Sequence, residues 1–137
     1  MTRLTRRYRF AASHRLQSPQ FSEDENRALY GKCNNPYGHG HNYVLEVSVQ
    51  GAIDQQSGQI VNLMALDQLV NEYVLRDFEH RNLNSDVPEF QKLVPTSENM
   101  LRVIEQRLRS RWPAEWPRLE SIRLRETARN SFELQAT

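Results

Sequence analysis

The sequence predicts an α+β domain in which two helices cover one face of a four-stranded antiparallel sheet. Three observations carry this. Residues from about 4–14 and 39–49 alternate apolar and polar with period two, the mark of strands with one buried face. The stretches that follow Asn62 and Thr96 space their apolar residues by three and four, as helices do. Residues 121–126 and the pair Phe132 and Leu134 return to alternation. The order β-β-α-α-β-β places a hairpin at each end of the chain, which suits helices packed on one side of an antiparallel sheet. Such a sheet keeps an open face and open edges, and oligomerisation is the usual way to cover them.

In the first strand Tyr8, Phe10, Ala12 and His14 share one parity, while Arg7, Arg9 and Ser13 share the other. Residues 17–38 are rich in turn formers (Ser18, Pro19, Asn34, Asn35, Pro36, Gly38) and read as a long loop. A loop of that length in a small domain is usually functional. The second strand puts His39, His41, Tyr43, Leu45, Val47 and Val49 on one face, with Glu46 and Ser48 on the other. Asp54, Ser57 and Gly58 mark a turn. Asn62 then caps a helix to about Asp77, with Leu63, Leu66, Leu69, Val70, Tyr73 and Val74 as its stripe. A second loop covers 79–95, closed by Pro88 and Pro95. Thr96 or Ser97 starts the second helix, where Glu98 meets the dipole in the first turn. Leu101, Ile104 and Leu108 form its stripe, and Pro113 and Pro117 end it. Ile122, Leu124 and Glu126 share a face of the third strand.

Composition narrows the function. At 137 residues the chain suits one domain, 1–137, and is short for two. With 38% hydrophobic and 26% charged residues it is neither a disordered tail nor a fibrous rod. A formal charge of +1 makes no general case for nucleic acid. Of the 18 basic residues only Lys32 and Lys92 are lysines. Arginine suits bidentate contact with phosphate or carboxylate, although a solvated surface is the plainer reading of each one. An RNA-binding module would draw on Arg107, Arg109, Arg111 and Trp112, a cluster that reads more simply as a solvated helix end. No stretch approaches the roughly 18 apolar residues of a membrane span, and no secretory signal opens the chain. A cytoplasmic protein without membrane contact is expected.

The densest chemistry lies in Cys33-Asn34-Asn35-Pro36-Tyr37-Gly38-His39-Gly40-His41. His39 and His41, two apart on a strand, point the same way, and they head the buried face. His14 ends the first strand on the apolar parity, so a hairpin brings it near both. Three imidazoles with a fourth position open is the pattern of a catalytic zinc. A lone histidine at a sheet end is more simply a satisfied polar residue, but three on one face favour a metal. Cys33, the single cysteine, excludes an intrachain disulfide. It either closes the metal site as a fourth ligand or, beside a cation, serves as a reactive thiolate, and the second reading is the stronger. Glu79-His80 pairs a carboxylate with an imidazole, a weak sign by itself because adjacent side chains often diverge. Glu126, on an apolar parity, either bridges to an arginine or grips the amidine-like edge of a ligand by two parallel hydrogen bonds.

The runs Phe10-Ala11-Ala12-Ser13-His14-Arg15-Leu16, Tyr30-Gly31-Lys32-Cys33 through His41-Asn42-Tyr43, and Thr96-Ser97-Glu98-Asn99 resemble the 6-pyruvoyl-tetrahydropterin synthase family, in order and over nearly the whole chain. The resemblance implies a tunnelling fold (T-fold), in which subunits close a barrel as trimers and two trimers stack into a homohexamer. It implies Zn2+ held by His14, His39 and His41, and 7,8-dihydroneopterin triphosphate as substrate. Triphosphate is eliminated and hydrogens move between side chain and ring, with no nicotinamide, in keeping with the absence of a dinucleotide-binding glycine motif. Cys33 would be the general base. His80, oriented by Glu79 and from a neighbouring subunit, would be the second acid/base group. Glu126 would hold the pterin edge with polar groups at Thr96 and Ser97, and an Arg and Lys rim would receive the triphosphate.

Two residues depart from the family pattern: Glu79 and Asn84 stand where Asp is usual, and residues 127–130 match loosely. Three relatives in function compete. A 6-carboxy-tetrahydropterin synthase of queuosine biosynthesis keeps the zinc and the cysteine, but its cysteine stands nearer the His-Gly-His run. A folate-synthesis branch carries Glu in the cysteine's place, which Cys33 opposes. A catalytically silent zinc- or pterin-binding protein is supported only by Glu79.

Overall fold

The computed structural model describes residues 1–136. Strands β1 (Thr2–His14) and β2 (His39–Gly51) form one long antiparallel pair in continuous register, from Thr2 opposite Gly51 to His14 opposite His39. Their parity follows the sequence. Phe10 and Tyr43 face each other on the helix side, with rings stacked at 5.0 Å and 18°. Strand β4 (Arg118–Arg125) pairs antiparallel with β2, and β5 (Ser131–Gln135) with β4. The expected sheet of four strands has a fifth: β3, only Arg81–Asn82, lies parallel to β1 and makes the order β3-β1-β2-β4-β5. Two residues are too few to show a period, so this strand left no pattern to read.

Both expected loops carry structure. Helix α1 (Glu23–Tyr30) occupies the first, followed by a 3-10 turn at Gly31–Asn34. A capping box closes its start: the Glu25 amide donates to Ser22 Oγ at 3.1 Å, and the Ser22 amide donates to Glu25 Oε1 at 2.9 Å. The helix shows no apolar stripe because it packs on no core; Asn26 is the one residue it buries. Beyond the second helix, α4 (Leu83–Asp86) and a 3-10 turn at Pro88–Gln91 follow β3.

The two main helices are where the apolar spacing puts them. Asn62 caps α2 (Leu63–Val70) through Oδ1, 3.1 Å from the Ala65 amide. The helix runs on through a π turn, Asn71–Leu75, into α3 (Arg76–Phe78). Thr96 caps α5 (Ser97–Arg111), accepting from the Asn99 amide at 3.2 Å. Leu66, Val70, Val74 and Phe78 meet Met100, Ile104 and Leu108 over Leu45, Val47, Ile122 and Leu124, all completely buried. Arg107 fastens the layer. Its guanidinium is bidentate to Glu89 at 2.7 and 2.8 Å, donates to Asp77 at 2.7 Å and to the Tyr73 carbonyl at 3.0 Å, and lies 5.4 Å over Phe78. One sheet face is thus covered; the other is open and polar.

Candidate metal centre

A group that could hold a metal lies at the His14–His39 end of the β1–β2 pair. His14 is completely buried there. Its Nδ1–H donates to the Pro95 carbonyl at 2.8 Å, with the Tyr43 hydroxyl 3.5 Å from the same nitrogen. That bond fixes the tautomer, so Nε2 carries the lone pair, and Nε2 has no hydrogen-bond partner. An unpaired buried acceptor is costly unless something binds it. His14, Cys33 and His41 offer three ligand atoms within 4.8 Å of one another, and the Cys33 Sγ is 3.9 Å from His41 Nε2. The donor set of imidazole and thiolate suits a borderline-soft dication such as zinc.

Local geometry carries Cys33 to this point. The Leu16 amide donates to the Cys33 carbonyl at 2.6 Å, and Asn34 Nδ2 donates to the Leu16 carbonyl at 2.8 Å. Gly38, at φ +82°, closes the loop against β1. A Cβ there would stand 3.0 Å from the His14 carbonyl oxygen, so both the conformation and the space require glycine. On the other side, Asn84 pairs with the backbone of Arg15, accepting from its amide at 2.7 Å and donating to its carbonyl at 2.9 Å. An aspartate can make only the first of these bonds, which gives the departure at this position a physical reason.

His39 is exposed and lies outside the compact donor group; its ring packs edge-on to His41 at 4.7 Å. Glu126 lies just past β4. Ser97 Oγ donates to its Oε2 at 2.8 Å, so these two predicted residues meet. The Thr96 hydroxyl is occupied as the helix cap. Glu126 is close enough to act electrostatically on His14, Cys33 and His41. Burial pushes the Cys33 thiol up, and the Glu126 charge adds to that shift. Burial lowers both His14 and His41. The Pro95 carbonyl and the Tyr43 hydroxyl are the parts sequence reasoning missed; nothing in a proline signals that its oxygen meets an imidazole 81 residues away.

Glu79 and His80 do meet: Oε1 and Nε2 are 2.9 Å apart. The cause is the backbone at His80, whose φ is +57° and whose amide donates to the Ala11 carbonyl at 2.6 Å. A left-handed histidine is uncommon and tends to persist at functional positions. His80 lies with Arg9, Ala11 and Asn42, of opposite strand parity to His14 and His41. The pair therefore occupies the other face of the sheet. The proposed RNA-binding cluster is spent internally: Arg107 is the hub described above, Arg109 pairs with Glu105 at 3.1 Å, Arg111 stacks over Tyr73, and Trp112 donates to the Pro117 carbonyl.

The histidine shifts imply a pH dependence. A histidine held neutral by burial adds stability in full above the ordinary value near 6.5, and that stability is lost as pH falls below it, because the unfolded chain takes up the proton first. We expect the urea midpoint of metal-free protein to drop between pH 7.5 and 5.5, and the drop to shrink in His14→Asn. A midpoint that is level or rises on acidification would show that the imidazoles are not held neutral.

A profile of the family described as 6-pyruvoyl tetrahydropterin synthase matches residues 3–137. The 6-pyruvoyl tetrahydrobiopterin synthase of Poecilia reticulata is 44% identical over 127 residues, 93% of this chain and 85% of that protein. The Homo sapiens protein of the same name is 47% identical over 97 residues, 71% of this chain and 67% of that one. The solved structure of the Caenorhabditis elegans 6-pyruvoyl tetrahydropterin synthase superposes with a TM-score of 0.92 at 37% identity, covering 99% of this chain and 96% of that one. With the T-fold sheet, the two main helices on one face and the histidine–cysteine group in place, the chain belongs to the 6-pyruvoyl tetrahydropterin synthase family.

Proposed function

We propose that the protein is a zinc-dependent lyase of the 6-pyruvoyl-tetrahydropterin synthase type, acting on 7,8-dihydroneopterin triphosphate in the cytoplasm. The observation that carries it is the unpaired, buried Nε2 of His14 beside His41 and Cys33, with the Ser97–Glu126 pair adjoining. His14, His39 and His41 would hold the metal. Bound there, Zn2+ supplies Lewis acidity to hydroxyl oxygens on the substrate side chain. Cys33, as thiolate, takes the proton from the carbon next to those oxygens. Glu126 accepts two parallel hydrogen bonds from the 2-amino and ring N–H edge of the pterin, and Ser97 holds the carboxylate in place. His80 moves the second proton, with Glu79 fixing its ring; the longer reach of Glu over Asp still spans the gap.

Because His80 faces away from the metal group of its own chain, it serves the site of another copy. In this reading the chain assembles as a homohexamer of two trimers, and the open sheet face supports an oligomer of some kind. Among the described residues no helix is long and apolar enough to cross a membrane.

The test is mass spectrometry of products after zinc-loaded protein meets 7,8-dihydroneopterin triphosphate. A 6-pyruvoyl product with inorganic triphosphate is expected. A 6-carboxy product with acetaldehyde would move the reaction to the queuosine type, and zinc and pterin binding without turnover would sink the enzyme reading.

A further inference from the structure

Segment 79–88 leaves the helix layer and returns to it, carrying Glu79, His80, strand β3 and helix α4 on the way. Its two feet meet at a neck. Asp77 and Phe78, at the end of α3, stand before it; Glu89 and Phe90, in the 3-10 turn, stand after it. Phe78 and Phe90 are buried and meet edge to face at 6.2 Å. Arg107 closes the polar side of the neck. Its guanidinium donates to Asp77 at 2.7 Å on one foot and bidentately to Glu89 at 2.7 and 2.8 Å on the other.

The same side chain grips the helix that leads into the segment. Leu66, Val70, Val74 and Phe78 are completely buried and stand four residues apart. Four residues overshoot an α-helical turn by about 40°, so three such steps would swing Phe78 about 120° off the core face. The π turn at Asn71–Leu75 is wider and absorbs part of that drift. Arg107 Nη1 donates to the Tyr73 carbonyl inside this turn at 3.0 Å. One guanidinium thus ties the phase of the helix end to the closure of the neck. Between the two feet, His80 holds its left-handed backbone with its amide on the Ala11 carbonyl, a conformation that persists only where its surroundings impose it.

We propose that Arg107 is a positioning residue for the Glu79–His80 pair: by holding Asp77, Glu89 and the Tyr73 carbonyl together it fixes the neck of segment 79–88, and so the place of His80 on the other face of the sheet. The consequence for turnover rests on the proposed role of His80 in the second proton step; the clasp itself does not. A guanidinium that only stabilised the helix layer would, when removed, loosen every core amide alike. A clasp at the neck loosens His80 first.

Amide hydrogen exchange in the zinc-loaded, full-length protein reads the neck. In Arg107→Met, which keeps an apolar stem but no donor, exchange at the His80 amide should rise about tenfold or more relative to that at Leu45 in the sheet core. Ile104→Val, an ordinary loss of core packing, should leave that ratio within about twofold of the parent. Glu89→Ala frees one foot only and should raise the ratio too, which covers the case of an Arg107→Met protein that does not fold. Arg107→Lys, a point charge in place of a fork, should restore the ratio in part. On the same proteins kcat should fall about 10- to 100-fold with KM within about twofold and zinc content unchanged. A level ratio in Arg107→Met, or in Glu89→Ala where the first does not fold, overturns the proposal. So does a ratio that rises equally in Ile104→Val, and so does a raised ratio with kcat unchanged, since the pair would then not need its place. If the parent itself shows no turnover, the proposed reaction has failed and exchange alone decides the clasp.

Discussion

Replacing Cys33 by alanine is expected to lower turnover of the pterin substrate about 10²- to 10⁴-fold, the usual contribution of a positioned base, while bound metal stays in place. The reasoning starts from the thiol's surroundings. In the metal-free protein, burial and the Glu126 charge both push the Cys33 thiol up, so it is a poor base there. A dication among His14 and His41 reverses that balance, because it favours the thiolate at a distance the structure already sets. The same closeness makes Cys33 a candidate ligand, and the two roles separate in one variant. Metal content by elemental analysis and turnover are measured together. Retained metal with lost turnover assigns the base. Loss of both would make Cys33 a structural ligand and leave the proton step without its acceptor. The Cys33→Ser variant adds a check: a hydroxyl keeps the size of the thiol but not its acidity, so turnover should remain as slow as with alanine.

How much of this was legible in the residues depends on how many of them share a pattern. Thirteen-residue strands and helices packed on a core repeat their burial often enough to be read, and both hairpins and both main helices follow their periods. Helix α1 buries one asparagine and rests on its cap, so it carries no stripe; the Ser22–Glu25 spacing was its only signal. Strand β3 has two residues and owes its pairing to β1. The metal group divides in the same way. Parity put His14, His39 and His41 on one face, and it did so correctly for the strand. It does not tell that the first is wholly buried and the second exposed, because that depends on where the sheet end meets the helix layer. The Glu79–His80 contact depends on a positive φ that a non-glycine residue does not announce. The arginine-rich composition was the loosest signal of all. Only the strand register brings Arg7 and Arg123 to the same carboxylate, that of Glu46.

The second large effect belongs to His14, and its two nitrogens can be tested apart. In His14→Asn, the side-chain amide nitrogen occupies the place of Nδ1 and still donates to the Pro95 carbonyl, but nothing replaces Nε2. Metal affinity should fall by on the order of 100-fold or more, since losing even an outer-shell partner of a metal-bound histidine costs 10- to 100-fold. Metal-free stability should stay within about 1 kcal/mol of the parent, because the variant keeps the Pro95 bond and exchanges one unpartnered buried acceptor, Nε2, for another, the amide oxygen. His14→Ala breaks both functions. It strands the Pro95 carbonyl and opens a cavity in a site with no exposure, so metal-free stability should fall by roughly 2–4 kcal/mol as well. Competition against a chelating dye measures the first quantity and urea unfolding with the metal removed measures the second. If His14→Asn binds metal as the parent does, then Nε2 is not a donor, and the unpaired nitrogen in the buried cluster needs another partner. If it instead unfolds like His14→Ala, the imidazole is held by its packing, and the Pro95 bond is incidental to the tautomer that points Nε2 at His41 and Cys33.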